Sequence, residues 1–361
     1  MKKFIKSILL NYKSKKIENI YIKNIKSKIK QCDIVSLSSS QEKEIQRYYK
    51  KLIGKNVPTY WHKYFYSRNG FFSVKYIPTS IYQADIIYRL NNYPFRHAYV
   101  DKAIYDIYFP DICRPKTIIK NINGYYYDSE NAISETQAFD MCRNVPIAVI
   151  KPTLEGMWGE GVRLFSCENG IVKDDGSDLS KLLCSYGKNF IVQEKVEQHP
   201  DMSQLNPSSL NTLRVLSYRR QNEVVILYTI IRIGRKGKNV DNETAGGINA
   251  DIDLSSGRII DCAYGTPKEK KIYKTDNGTL LKNYQIPALN KVLDTVRDLH
   301  IRLPYFNLIG WDFAVNQNSE PVLIEWNRAP DLSQTAHGPA FGDYSEEILL
   351  SLREKINTRY K

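Results

Sequence analysis

The chain of 361 residues reads as an α+β protein, with helices packed on mainly antiparallel sheets. Three observations predict that class. Residues 309–315 and 321–327 are short apolar runs of strand length, and each is interrupted by an acid, Asp312 or Glu325. Residues 215–218 and 224–233 are rich in β-branched and aromatic side chains and read as an antiparallel pair. Residues 287–300 carry Leu289, Val292, Leu293, Val296 and Leu299 at helical spacing.

The remaining elements follow in order. Residues 1–30 form a lysine-rich segment. The polar run from Ser36 to Gln41 is a start signal for a helix over 42–53, which Ser39-Ser40-Gln41-Glu42 can cap. Residues 61–99 are aromatic-rich, broken at Pro78 and Pro94, and read as a small mixed domain without clean periodicity. A strand over 116–120, a turn at Asn123-Gly124 and a helix over 134–142 capped by Ser134 come next. Strands over 146–151 and 162–166 flank a loop over 155–161, and another strand covers 190–196. Ala245-Gly246-Gly247 opens a loop before 248–254, and a closing helix lies near 345–356. There is no internal repeat.

Composition narrows the function. Six scattered cysteines without C-x-x-C spacing argue against a zinc site or a disulfide framework and for a reducing, cytoplasmic setting. The five histidines also lack metal-ligand spacing. Residues 1–30 hold ten Lys and one Glu, a net of +9 out of +13. The rest of the chain is only mildly basic, and its aromatics are not interleaved with Arg or Lys, so nucleic acid is not an expected partner. The start is too short in its apolar run for a signal peptide, and no run spans a bilayer. Phe4, Ile5, Ile8, Leu9 and Tyr12 can share one helix face. That face suits peripheral attachment to an anionic membrane at its inner side, or packing on the protein body.

The chemistry concentrates in a few places. On a strand, Glu325 and Asn327 leave the same face. With Asp312 on the neighbouring run they make an oxygen-rich pocket of the kind magnesium uses when it also holds phosphates; two hairpin acids facing solvent are the alternative. Lys151 ends a strand before a loop with Gly156, Gly159 and Gly161. Such a loop can present main-chain N–H groups to phosphate, or can be a hairpin needing positive φ. It matches neither the P-loop nor the dinucleotide fingerprint. A protein kinase is excluded, because Lys151 precedes the glycine loop and no H-R-D stands upstream of Asp312. Glu194, Lys195, Val196 and Glu197 end an apolar strand at a hinge that can face an adenine, or run into a polar turn. Arg214 and Arg232 place guanidinium groups on neighbouring strands, suited to phosphate, to carboxylate or to salt bridges.

In this order the motifs resemble the ATP-grasp superfamily: Asp101-Lys102, Lys151 with its glycine loop, Gln193-Glu194-Lys195-Val196, Asn211-Thr212-x-Arg214, then Asp312, Glu325 and Asn327. More narrowly, Glu197-Gln198-His199-Pro200, Leu205-Asn206-Pro207-Ser208-Ser209, Gly246-Gly247 and Ile309-Gly310-Trp311-Asp312 are similar to the sugar-transfer-associated ATP-grasp proteins. The likeness runs from about residue 41 to 342. It implies two α+β subdomains clamping ATP, a lid over 101–194 and a larger metal-bearing unit over 195–361, after a small α/β domain over 31–100. It further implies phosphate contacts from Lys102, Lys151 and Gly156 to Gly161, and adenine contacts from Glu194, Lys195 and Val196, with Glu197 near the ribose. Asp312, Glu325 and Asn327 match its Mg2+ ligands. Arg214 matches a position near the γ-phosphate or acyl phosphate, and Arg232 is grouped with it and Lys151 as catalytic.

The implied reaction joins a carboxylate to an amine through an acyl phosphate. The family setting suggests a hexuronic acid of a surface glycan and an amino acid or amino alcohol. A phosphotransferase acting on a sugar hydroxyl and a non-catalytic partner of a glycosyltransferase complex are the competing expectations. Residues 1–30 are expected to be dispensable for catalysis and available for membrane or complex contacts.

Overall fold

The computed structural model describes residues 2–92, 95, 99–154 and 161–353, with side chains from residue 14 onward. The helix α1 (Lys2–Ile29) precedes α2 (Ser39–Ile53) and α3 (Tyr60–Asn69). The face expected from Phe4 to Tyr12 lies outside the described side chains. Further along α1, Tyr21, Ile22, Ile25 and Ile29 pack on Trp61, Tyr64, Phe65 and Tyr76. This half of the segment is therefore part of the body. Helix α2 begins at Ser39, earlier than the expected 42, and Ser38 is its cap. Its hydroxyl accepts from the Gln41 N–H at 3.2 Å while Gln41 Oε1 accepts from the Ser38 N–H at 2.9 Å. Ser38–Gln41 and Ser39–Glu42 both have capping-box spacing, and the extended backbone at Ser38 decides between them.

The region expected to be mixed over 31–100 carries helices alone among its described residues, including a π turn at Tyr82–Ile86, apart from an isolated bridge of Asn91 to Phe306. Its lack of period has a physical cause. Trp61, His62, Tyr64 and Phe65 of α3 are all buried, so the helix is covered on more than one side and shows no single apolar stripe.

The first sheet contains β1 (Thr117–Ile122), β2 (Tyr125–Tyr127), β3 (Ala132–Ile133), β4 (Ala148–Pro152), β5 (Arg163–Phe165) and, beyond the ribbon of β6 (Cys167–Glu168) and β7 (Ile171–Val172), β8 (Phe190–Glu194). Its order is β3-β2-β1-β8-β4-β5, with antiparallel pairing throughout. Helices α4 (Glu135–Cys142) and α5 (Leu179–Ser185) share its core through Ala138, Cys142, Leu182 and Leu183. Ser134 caps α4 as its sequence requires, in a capping box with Gln137.

The second sheet contains β9 (Thr212–Arg220), β10 (Glu223–Ile233), β11 (Ile248–Asp253), β12 (Arg258–Tyr264), β13 (Leu308–Val315) and β14 (Pro321–Asn327), in the antiparallel order β12-β11-β10-β9-β13-β14. One face is apolar along its length: Leu213, Val215, Ile231, Ile233, Trp311 and Phe313 pack with Val292 and Val296 of α6 (Leu289–Ile301). The other face is divided. Leu216, Tyr218, Tyr228, Ile230 and Leu308 share a core with α2 and with Ile348 and Leu349 of the closing helix Ser345–Leu350. The rest of that face is polar and forms the floor of the site. The end of the closing helix expected beyond 353 lies outside the described residues. Among the described residues no helix is long and apolar enough to cross a membrane.

Candidate functional site

The floor is set by strand register. Asp312 on β13 stands opposite Arg214 on β9 and Glu325 on β14, and Gly310 stands opposite Asn327. Opposed residues share a face, so Asp312, Arg214, Glu325 and Asn327 converge. A bulge after Asp312 inserts Ile324 into β14. Gly310 permits the close approach of the following loop: a Cβ there would lie 2.5 Å from Pro330 Cβ.

Asp312 is buried beneath two guanidinium groups. Arg214 donates to it through Nε at 2.5 Å and Nη2 at 2.8 Å, and Arg232 Nη1 lies 3.3 and 3.4 Å from its two oxygens. Burial raises the Asp312 pKa, but Arg214 and Arg232 outweigh it and hold the carboxyl below its ordinary value. Arg214, expected near the γ-phosphate or acyl phosphate, lines the cleft with its guanidinium held on Asp312 and 6% of its side chain exposed. Arg232 stays more open, at 19%. Asn327 Nδ2 donates to Asp312 at 3.3 Å and to Glu325 at 3.2 Å.

Lys102, which the sequence leaves without a strand of its own, sits in a short 3-10 turn over Lys102–Ile104. The Asp101 carboxylate caps the turn, accepting from the Ala103 N–H at 2.9 Å, and the Lys102 N–H donates to Thr153 O at 3.2 Å. These contacts bring Lys102 Nζ within 3.3 Å of Glu325 Oε2. Lys151 lies near the end of β4 and lines the same cleft. Burial pulls its ammonium down to about 8, Lys102 adds to the effect, and Glu325 opposes it. Gly156 and Gly159 lie outside the described residues; Gly161 has φ 75° and abuts Pro152.

The hinge leaves β8 at Glu194, two residues before the expected end. Lys116 Nζ lies 2.7 Å from Glu194 Oε1. The Lys195 and Val196 main-chain N–H groups make no hydrogen bond among the described residues. Glu197 O accepts from the Gln317 N–H at 3.0 Å, and His199 N–H donates to Val315 O at 2.8 Å, pinning the hinge to the end of β13. The Gln198 and Asn206 to Asn211 motif is structural support. Gln198 Oε1 accepts from the Asn211 N–H at 3.1 Å, Asn211 Nδ2 donates to Met202 O and Asn206 O at 2.8 Å, and Ser209 Oγ donates to Asn211 Oδ1 at 2.8 Å. These buried polar groups satisfy one another at the root of β9.

Lys102, Lys151, residues 194–197, Arg214, Arg232, Asp312, Glu325 and Asn327 open onto one cleft of about 1500 Å³, reaching from Val149 and the hinge past the acid–arginine floor to α1. Sequence reasoning missed Asp241. It lines the cleft and accepts from the Thr212 N–H at 2.9 Å and hydroxyl at 2.5 Å. Burial pushes it up to about 6, while Arg232 and Thr212 pull it down. The available signal was Gly246-Gly247. A Cβ at Gly247 would come 2.0 Å from the Asp241 carbonyl oxygen, so the glycine is what lets that loop nest.

A family model described as sugar-transfer associated ATP-grasp matches residues 85–342. No curated protein is similar in sequence. Solved structures with a similar arrangement include D-alanyl-alanine synthetase A from Vibrio cholerae (13% identity, 70% of this chain and 64% of that chain, TM-score 0.41). Biotin carboxylase from Campylobacter jejuni, a β,γ-ATP complex, has 13% identity over 71% of this chain and 46% of that chain, with a TM-score of 0.42. L-amino acid ligase from Bacillus licheniformis has 9% identity over 71% and 48%, with a TM-score of 0.40. The chain spans under two thirds of the length of each of these three.

Proposed function

The chain belongs to the sugar-transfer-associated ATP-grasp family, and on that premise we propose that it is an ATP-dependent carboxylate–amine ligase. The observation that carries this reading is the meeting, in one cleft, of two carboxylates and an amide with Lys102, Lys151 and Arg232, beside a hinge whose main-chain N–H groups are open. The hinge would face adenine, and Lys102 and Lys151 would neutralise phosphate oxygens.

Asp312, Glu325 and Asn327 would hold magnesium. Two acids and one amide leave about half of an octahedral shell to phosphate oxygens and water, which suits a metal shared with a nucleotide. The acids already gather cationic groups, with Lys102 on Glu325 and the guanidinium pair on Asp312. A half-turn of the Asn327 amide exchanges its donor for its oxygen. Magnesium, when bound, supplies charge neutralisation between phosphates.

The chain's own residues align two anions and screen their repulsion. A carboxylate oxygen of the substrate bonds to the γ-phosphorus as the bond to ADP breaks, giving an acyl phosphate. The amine then bonds to the acyl carbon, phosphate leaves, and the nitrogen loses a proton. Arg214 orients Asp312, and Arg232 is the guanidinium open to the transferred phosphoryl group. The family's association with sugar transfer supports a carboxylate on a glycan, in particular a hexuronic acid, with an amino acid or amino alcohol as the amine.

The test is mass spectrometry of products from ATP, uronate glycans and pooled amino acids, with hydroxylamine as a trap. The expected results are an amide product, ADP and a hydroxamate. A stable phospho-sugar, or no ATP consumption with any pair, would overturn the reading.

A further inference from the structure

The cleft is larger than one nucleotide needs. Small-molecule sites run to about 300–1000 Å³, against about 1500 Å³ here. Its lining extends beyond the hinge and the acid–arginine floor to α1. Tyr21, Asn24, Lys28 and Gln31 all line the cleft, at intervals of three, four and three residues. That is the spacing of a single helix face, continued into the turn after Ile29. The neighbouring face, Ile22, Ile25 and Ile29, packs on Trp61, Tyr64 and Phe65 and fixes the helix rotation. Asn24, Lys28 and Gln31 are exposed, as are Lys23, Lys26 and Lys30, but the latter three do not line the cleft, and Lys26 lies over the Tyr60 ring at 4.9 Å. With Ile20 and Ile25, which also line the cleft, this wall carries a phenol, two amides and an ammonium beside apolar side chains.

Across the cleft, Lys28 Nζ lies 3.9 Å from Glu243 Oε1, with both side chains about half exposed, so that ammonium is held weakly. Asn249, opposite Arg232 on the sheet floor, has a buried Oδ1 without a hydrogen-bond partner among the described residues. An acceptor left in this state is suited to a hydroxyl donor from a ligand.

We propose that α1 is the wall of the acceptor subsite, and that Tyr21, Asn24 and Lys28 hold the sugar ring or rings bearing the reacting carboxylate. An aromatic body with amides and one ammonium fits a hydroxyl-rich anionic ligand. The wall lies before residue 85, where the family match begins. The inference rests on the ligase reading for the identity of the reacting group.

The experiment uses the full chain, saturated with magnesium and a non-hydrolysable ATP analogue, on an array of uronate-bearing oligosaccharides. Binding of a fluorescent nucleotide is measured in parallel. The unmodified chain is expected to retain uronate glycans. Asn24→Ala and Lys28→Ala should each weaken that binding by about tenfold, about the loss of one hydrogen bond to a charged or buried group. Lys23→Ala, on the outward face, should not, and nucleotide affinity should stay unchanged in all three. Normal nucleotide binding with no glycan retained overturns this inference alone. So do unchanged glycan binding in both lining variants and an equal loss in Lys23→Ala, which would mean diffuse charge attraction. Absent nucleotide binding in the unmodified chain overturns the ligase reading beneath it.

Discussion

Replacing Asp312 by asparagine should destabilise the protein well before catalysis is considered. The side chain is 4% exposed and its Arg214 partner 6%. Asparagine keeps the shape, removes the charge and turns one acceptor into a donor facing the Arg214 fork. Arg214 then remains as a buried cation, with Glu325 its next acidic neighbour. Removing one partner of a buried pair costs about 3–5 kcal/mol. At about 2–4 °C per kcal/mol for a unit of this size, the melting temperature should fall by about 6–20 °C. Differential scanning fluorimetry on Asp312→Asn is the direct test, and Asp312→Leu, Arg214→Met and the double variant Arg214→Met/Asp312→Leu close a double-mutant cycle. The double variant should recover part of the loss, because the fully buried Arg214 charge goes with its partner and only Arg232, 19% exposed, is left without Asp312. The sign with pH follows from the lowered Asp312 value: its stabilisation is present above the ordinary carboxylate range and is lost as pH falls through the lowered value. A single asparagine variant melting within 1 °C of the unmodified protein would refute the reasoning (a shift about as small as surface substitutions give).

Lys151→Ala and Glu325→Gln should each abolish nucleotide turnover with the circular dichroism spectrum unchanged; normal turnover in either removes its assigned role. Nucleotide affinity should weaken as pH rises through about 8, because the Lys151 ammonium proposed to meet phosphate is lost there. Lys151→Arg should flatten that step in a fluorescence titration, and a persistent step would assign it to another group. Deleting residues 1–30 uncovers Trp61, Tyr64 and Phe65 and removes the buried Ile25, itself a contribution of about 1.5–3 kcal/mol. The truncated chain should melt lower and aggregate; an unchanged melting curve would show that α1 is an appendage after all.

Local order along the chain was open to reading from residue types. The period-two relation of Glu325 to Asn327, the apolar stripe of α6 and the Ser134 cap each depend on neighbours within a few positions, where covalent geometry dictates which side chains share a face. The motif order, summed over many positions, also carried the family. Three features needed the folded chain. Arg214 and Asp312 lie 98 positions apart, and no local pattern says that a guanidinium will be held by an acid rather than left for a phosphate. Asp241 enters the cleft because Gly247 lets its loop close, a contact between backbones that leaves no periodic trace. The lysines of α1 dominate its composition, yet the intervening isoleucines set its position, because the apolar face fixes a helix's rotation whatever charges surround it. Sequence determined which faces the helices and strands possess; only the tertiary structure decided what each face meets, since burial and charge pairing depend on distances through space.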